Sequence, residues 1–328
     1  MPRSSEDLHA RPPPAAPSSR ASAAIIAEIG AGLLAPAAHT SPKYLYDALG
    51  SKLFEAICEL PEYYPTRTEA AIFAAHGTEM AQEAGANSTL IDLGAGNCAK
   101  AASLFPLLKP ANYVAVDISY DFLTQALDGL RLRFPRIAMQ GLGLDFSSRF
   151  VLPDTVPEQG RLFFYPGSSI GNFPPDQAIA FLRRLRANLP VGGGLLIGVD
   201  LVKDSATLDA AYDDAIGVTG AFNLNLLRHL NRLMGADFDV RQWQHRAFFN
   251  TDAKRVEMHL DARVDLTLRW DGGQRRFAAG ESIHTEDSHK YTQAGFVGLL
   301  EQAGFAATRS WTDPQQWFAV MHARAIAD

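Results

Sequence analysis

Cysteine is nearly absent from this chain: of 328 residues only Cys58 and Cys98 are cysteines, and they lie in unrelated segments. Neither has a CxxC partner, which excludes a disulfide framework and a zinc knuckle and fits a reducing, cytoplasmic setting. Long apolar runs are also lacking. None approaches the roughly 20 residues that cross a bilayer, so no membrane partner is expected. Charge of one sign is not in excess either. The net charge is −6 with acids and bases interspersed, which leaves no basic face for nucleic acid. The basic run "LRRLRANL" (182–189) reads as the solvated side of a helix. No internal repeat is visible. The first residues, "MPRSSEDLHARPPPAAPSSRASAA", lack the apolar core of a signal peptide. Their Pro, Ser and Ala content predicts a disordered tail over 1–22.

What is present is a core-forming composition, 47% hydrophobic, on a chain long enough for two domains. "AAIIAEIGAGLLA" (23–35) predicts a first amphipathic helix, and helical pieces broken at Pro61 and Pro65 follow. Strands are expected at "TLIDLGAGN" (89–97), "NYVAVDIS" (112–119), "IAMQGLGLDF" (137–146), "RLFFYPGSSIGNF" (161–173) and "GGGLLIGVDLV" (192–202), with helices between them. That alternation predicts an α/β fold whose parallel sheet carries helices on both faces. Ligands of such sheets bind at the carboxyl ends of the strands, near Gly94, Asp117, Asp145, Ser168 to Asn172 and Asp200. Beyond residue 203 a helical stretch precedes alternating strands with turn signals such as Asp271-Gly272. This reads as antiparallel material inserted after the fifth strand. The C-terminal segment reads helix, strand, turn, strand.

The turn "LIDLGAGNCAK" fits the loose GxGxxG/A pattern, with Asp117 about twenty residues on. Alone it suits a nicotinamide dehydrogenase equally well. Three details favour S-adenosylmethionine instead. Asp92, just before the glycines, would repel a pyrophosphate but tolerates a sulfonium. Asp145 and Phe146 could hydrogen-bond to and stack on adenine. An antiparallel hairpin finish, "ATRSWTD" then "WFAVMHA", suits a methyltransferase sheet. Asp117 capping a helix and Asp92 tying down the turn are the structural alternatives.

"IHTEDSHKY" (283–291) packs two histidines, two carboxylates, a serine and a tyrosine into nine positions. As a strand it would put His284, Glu286 and Ser288 on one side, and Thr285, Asp287 and His289 on the other. Histidines five apart separate on a strand and on a helix alike, so no metal is expected here.

Several stretches together resemble the histidine-specific Nα-methyltransferases of ergothioneine biosynthesis. They are "YDALGSKLFEAICELPEYYPTRTE" (46–69), "LIDLGAGNCAK", "FFYPGSSIGNF", "DLVKD" (200–204), "YDDAIGVTGAFNLNLL" (212–227), "RVEMHLDA" (255–262) and "HTEDSHKY". The resemblance runs from about residue 40 to the end. "LPEYYPTRTE" and "GSSIGN" carry most of its specificity.

The resemblance implies a Rossmann-like class I methyltransferase domain over 70–200 and 290–328. A smaller α+β substrate-binding domain would occupy 23–69 and 201–289. It implies S-adenosylmethionine as cofactor, L-histidine and its mono- and dimethylated forms as substrates, and a monomeric enzyme. Gly94, Lys100, Asp117, Asp145 and Phe146 correspond to the cofactor shell. Tyr63, Asn172 and Tyr212 correspond to residues that hold the substrate's amine and carboxylate. Tyr46 corresponds to a tyrosine near the reacting nitrogen, which makes Asn172, Tyr46 and Tyr212 the implied catalytic group. Met258, Glu286 and Ser288 correspond to the side-chain pocket, although Met258 alone would read as core filler. Cys98 departs from the family pattern, standing where an acidic residue is common. The chemistry agrees with the residue types. An amide at Asn172 offers donor and acceptor to a zwitterion, and a carboxylate beside a hydroxyl can engage both nitrogens of an imidazole.

Overall fold

The computed structural model of the chain describes residues 19–85, 88–118, 120–146 and 150–327. The tail expected over 1–22 lies outside the described residues except for its last four, which open the first helix. Helix α1 (Ser19–Leu34), the short strand β1 (Ala38–His39), a 3-10 turn (Pro42–Leu45), α2 (Ala48–Cys58) and α3 (Tyr64–Ala84) come first. Pro65, expected to break a helix, sits instead in the first turn of α3, where a missing N–H leaves no bond unmade.

Alternating units follow: β2 (Thr89–Leu93), α4 (Ala99–Leu108), β3 (Asn112–Asp117), α5 (Tyr120–Arg133), β4 (Ala138–Gly143) and β5 (Arg161–Tyr165). A 3-10 turn (Ser169–Asn172) leads into α6 (Pro175–Ala187) and β6 (Gly194–Asp200). The third and fourth strands end earlier than expected. Asp145 with Phe146, and the whole of "PGSSIGN", are thereby released into loops at the carboxyl edge.

These five strands pair in parallel, in the order β6-β5-β2-β3-β4. Two antiparallel strands from the C-terminal part of the chain complete the sheet beyond β6. Central strands are apolar on both faces because both are covered. Ile91, Leu93, Phe163, Tyr165, Leu195 and Ile197 join one buried cluster, while Leu90, Leu162, Phe164 and Leu196 join another.

Between β6 and the closing strands lie α7 (Ser205–Tyr212), α8 (Val218–Met234), β7 (Trp243–Asn250), β8 (Arg255–Ala262), β9 (Leu266–Trp270), β10 (Gly273–Phe277) and β11 (Ser282–His289). Strands β9 and β10 form a hairpin through Asp271-Gly272, the signalled turn. β11, β8 and β7 pair antiparallel, and β1 adds to β11 in parallel, giving a four-stranded sheet. A third apolar cluster, which includes Leu226, Leu230, Trp243, Leu260 and Ile283, packs this sheet against α1, α2 and α8. The chain then returns to the large sheet. Tyr291 accepts from Val202 and donates to Asp200 through the backbone, and α9 (Gln293–Gln302), β12 (Phe305–Thr312) and β13 (Phe318–Ala325) follow. β13 inserts antiparallel between β6 and β12, as the hairpin finish predicted.

Strand β11 carries one irregularity that the alternation did not anticipate. Its register against β8 slips between His284 and Glu286: His284 faces His259, whereas Glu286 faces Met258 and Ser288 faces Val256. Thr285 is therefore an extra residue, a β-bulge that reverses the facing of everything beyond it. Glu286 and Ser288 point to one side as expected. His284 is turned to the other, and its Nε2 lies 2.9 Å from the Asp287 carboxylate.

Candidate active site

The carboxyl edge of the large sheet and the inner face of β11 enclose a cavity. Its lining unites Tyr46, Tyr63, Asn172, Tyr212, Met258, Glu286 and Ser288, all seven residues implied for substrate or catalysis. They arrive from six places in the chain, Glu286 and Ser288 together from β11 and Met258 from β8. Tyr46 lies before α2, Tyr63 precedes α3, Asn172 closes the 3-10 turn after β5, and Tyr212 ends α7.

Tyr212 is fixed from behind. Its carbonyl is 2.8 Å from His245 Nε2, and His245 Nδ1 is in turn 2.9 Å from Asn223 Nδ2. The loop bearing Asn172 reaches β11 because residue 171 is glycine: a Cβ there would stand 2.8 Å from the His289 carbonyl oxygen. The approach lets Asn172 Nδ2 donate to Glu286 Oε1 at 3.1 Å. Aromatic rings line the opposite wall. Tyr46 packs edge-on against Phe54 and Phe222, and Tyr63 against Phe54 and Tyr212, with centroids 5.5 to 6.1 Å apart.

Burial sets the protonation of these groups. Tyr46, Tyr63 and Tyr212 are all raised above the usual phenol value, chiefly by desolvation, so they remain neutral hydrogen-bonding hydroxyls near neutral pH. Glu286 is pushed up to about 7 by burial, although Lys290 and the Asn172 amide favour its charge.

A second cavity shares Tyr46 with the first; Ile118 and Asp145, in the loops after β3 and β4, line it together with Lys43, Tyr44 and His229. Of the residues implied for the cofactor, Asp145 lines this cavity. Gly94 has φ 72°, and a Cβ there would lie 3.8 Å from the Phe146 ring. Asp117 Oδ2 accepts from Gly96 N–H at 2.9 Å, so this acid braces the glycine turn from the next strand. Lys100 is paired, 2.5 Å from Glu69.

Asp92 is corrected by the structure. Its side chain is turned into the sheet's core, accepts from Tyr113 Oη at 2.7 Å, and is pushed up to about 7 by burial. It is buried with Tyr113 and not open to a ligand, so it gives no information on the charge of the cofactor. The antiparallel hairpin finish, which the structure does contain, is what still favours S-adenosylmethionine over a dinucleotide. Cys98 is fully buried behind the turn, with its thiol pushed up to about 11 by burial, so it does not replace an acid in charge.

Residues with no assigned role in the sequence prove central. Glu69, fully buried, accepts from Gly167 N–H at 2.8 Å while holding Lys100, and it fits only because Gly198 lacks a side chain: a Cβ there would lie 2.1 Å from Oε1. Lys290, also fully buried, donates to Tyr212 Oη at 2.9 Å and to Ser288 Oγ at 2.8 Å, and pairs with Asp200 at 2.8 Å. Asp200 also accepts from Tyr64 and Lys203. The "YYPTRTE" and "DLVKD" stretches contain Tyr64, Glu69, Asp200 and Lys203, but nothing in either stretch points to its partner.

The histidines of β11 need a separate account. Glu257, His259 and His284 have ligand atoms within 4.8 Å of one another on the far side of the sheet. The two rings stack at 4.7 Å and 15°, so their in-plane lone pairs run nearly parallel and do not converge on one ion. Arg255 pairs with both Glu257 and Asp287 there.

A parallel sheet closed by an antiparallel hairpin, with an aromatic-walled cavity at its carboxyl edge, is the architecture of an S-adenosylmethionine-dependent methyltransferase. The chain belongs to the family described as histidine-specific, SAM-dependent methyltransferases, whose profile it matches over residues 25–325. It is 40% identical over 301 residues to the histidine N-alpha-methyltransferase of Mycolicibacterium smegmatis, covering 90% of this chain and 92% of that one. It is 37% identical to the enzyme of the same name from Mycobacterium tuberculosis, covering 83% of this chain and 86% of the other. Among solved structures, an S-adenosylmethionine-dependent methyltransferase from Clostridium acetobutylicum matches with a TM-score of 0.47 and 12% identity, over 85% of this chain and 97% of that one. Among the described residues, no helix is long and apolar enough to cross a membrane.

Proposed function

We propose that the chain methylates the α-amine of L-histidine three times, giving the betaine hercynine for ergothioneine biosynthesis. One observation carries this reading: a single cavity sets a carboxylate (Glu286) and a hydroxyl (Ser288) two residues apart on one face, opposite polar groups suited to an amino acid's zwitterion. The names of the two mycobacterial relatives support the same substrate.

In this reading Gly94, Lys100, Asp117, Asp145 and Phe146 hold the cofactor, which when bound supplies an activated methyl group on a sulfonium. The adenosine end would occupy the second cavity, which Asp145 and Ile118 line. Tyr63, Asn172 and Tyr212 hold the amine and carboxylate, and Tyr46, on the boundary of the two cavities, lies beside the reacting nitrogen. These groups are neutral, so they orient the amine without competing for its methyl acceptor role, and placement does the catalytic work. The aromatic wall of Tyr46, Phe54, Tyr63 and Phe222 suits a nitrogen that becomes a permanent cation as methyls accumulate. Glu286 and Ser288 take the imidazole, against Met258.

Residues 70–200 and 290–328 form the cofactor domain, and 23–69 with 201–289 the substrate domain. Their first boundary falls inside α3, which runs unbroken and makes the junction stiff. The enzyme acts as a cytoplasmic monomer. Incubation with S-adenosylmethionine and all twenty amino acids, followed by mass spectrometry, tests the function. Three added methyls on histidine alone are expected, and methylation of tryptophan in its place overturns the substrate.

A further inference from the structure

The hydrogen-bond inventory around Lys290 constrains which way the pocket hydroxyls point. A lysine ammonium has three N–H donors and no acceptor. All three are committed: to Asp200 Oδ2 at 2.8 Å, to Tyr212 Oη at 2.9 Å and to Ser288 Oγ at 2.8 Å. The ammonium is fully buried; burial opposes its charge, but Asp200 and Tyr212 hold its pKa above the usual lysine value. Tyr212 and Ser288 are themselves bonded at 2.8 Å. Two hydroxyls sharing one bond have two hydrogens between them, and that bond uses one. The phenol is the stronger acid and hence the better donor, so Tyr212 gives its hydrogen to Ser288. Ser288 Oγ then accepts twice, from Lys290 and from Tyr212, and its lone pairs are full. Its own hydrogen is the only one left, and the cavity is where it can be used. Glu286, two residues away, offers an acceptor.

We propose that Lys290 is a positioning residue that makes Ser288 an obligate donor, so that the side-chain pocket selects a ring with one N–H and one unprotonated nitrogen. This rests on the reading that the bound side chain is an imidazole. The neutral imidazole fits: its N–H goes to Glu286 and its lone pair to Ser288. An imidazolium, with two N–H groups, puts hydrogen against hydrogen at Ser288, and an indole has no second nitrogen to receive the hydroxyl. Without Lys290 the serine regains a lone pair, can rotate, and no longer tests for an unprotonated nitrogen. Tyr212, having donated to Ser288, presents a lone pair to the cavity and suits an N–H of the substrate amine.

The test compares L-histidine with the two pyrrolyl-L-alanines, in which one ring nitrogen of histidine is replaced by C–H and the other keeps its N–H. Steady-state methylation by the wild-type enzyme and by Lys290→Met, Ser288→Ala and the double variant gives kcat and KM separately. The wild-type enzyme is expected to favour histidine over the better pyrrole by roughly tenfold or more in kcat/KM. Both single variants should lose most of that preference, chiefly through KM for histidine. The double variant should match Ser288→Ala, because Lys290 acts through the serine. Full retention of the preference by Lys290→Met, or losses that multiply in the double variant, overturns the proposal. A wild-type enzyme that ignores histidine altogether overturns the substrate reading instead. If Lys290→Met does not fold, Tyr212→Phe serves. It frees the serine's other lone pair while leaving the Lys290–Asp200 pair in place, and an unchanged ring preference there also overturns the proposal.

Discussion

Asn172 and Glu286 meet at 3.1 Å although 114 residues separate them. One closes the loop after β5 of the large sheet, and the other stands on the middle of β11 in the small sheet. The bond therefore joins the part that would bind cofactor to the part that would recognise substrate. It also uses one of the few partners available to a carboxylate that is almost completely buried.

That burial has a measurable cost. Glu286 is pushed up to about 7 from the ordinary carboxylate value of 4.5, mainly by desolvation. Between those values the folded protein binds more protons than the unfolded chain, so the group's contribution to stability is complete below the unfolded value and is lost as pH rises through about 7. The loss amounts to about 3 kcal/mol at most. Glu286→Gln should therefore gain stability relative to the parent as pH rises from 5 to 8, while losing methylation of histidine. Urea unfolding at a series of pH values measures it; parallel stability curves for the two proteins would refute it. Glu286→Ala should likewise depress histidine turnover sharply and relax selectivity toward tryptophan.

Gly171 sets the approach of the two sheets. Alanine there would bring a Cβ to 2.8 Å from the His289 carbonyl oxygen and 3.2 Å from its nitrogen, both backbone atoms that cannot swing aside. The loop must withdraw, and Asn172 withdraws with it. Gly171→Ala should cost about 1–3 kcal/mol in stability. It should also raise KM for histidine, with cofactor binding little altered. Calorimetry with S-adenosylhomocysteine beside substrate kinetics separates the two effects, and an unaltered KM would count against the loop's role.

Much of this site could be read in the sequence because it follows period and topology. Gly94, Asp117 and Asp145 lie at strand ends, and a parallel sheet collects strand ends on one edge. Glu286 and Ser288 are two apart on a strand, so they share a face whatever happens earlier in it. His284 was misplaced by the same rule, because the bulge at Thr285 adds a residue and no local signal marks it. Asp92 looked like part of the glycine turn, and only its neighbour across the sheet, Tyr113, shows that it points inward. Glu69 and Lys290 were missed for a related reason. Each is an ordinary charged residue in sequence, and its meaning lies in partners brought from distant segments: Gly167 is 98 residues from Glu69.

Glu69 ties α3 to both the Lys100 ammonium and the Gly167 amide. Replacing it by Ala leaves an amide unpaired and a lysine without its counter-ion. Lys100 is about a third exposed, so water screens part of that loss. A destabilisation of about 2 kcal/mol is expected. Affinity for S-adenosylhomocysteine should fall as well, because Lys100 and the loop at Gly167 lose a shared anchor. Titration calorimetry reads the affinity, and a variant that binds as tightly as the parent would limit Glu69 to a structural part.

His322 provides a control far from substrate recognition. It lies on β13, is 2% exposed, and has Nδ1 2.6 Å from Thr308 Oγ1. Burial is the largest cause pushing its pKa down to about 4, with Arg324 adding to the effect. A base whose folded pKa is depressed binds protons more readily in the unfolded chain, from about 6.5 down to about 4. Its contribution to stability is thus present above pH 6.5 and lost as pH falls through that window, by up to about 3 kcal/mol. His322→Gln, which cannot take up the proton, should lower stability near neutral pH through imperfect packing. It should also flatten the decline between pH 6.5 and 4. Unfolding free energies at half-unit steps of pH measure both, and an equally steep decline in the variant would assign acid sensitivity to other groups.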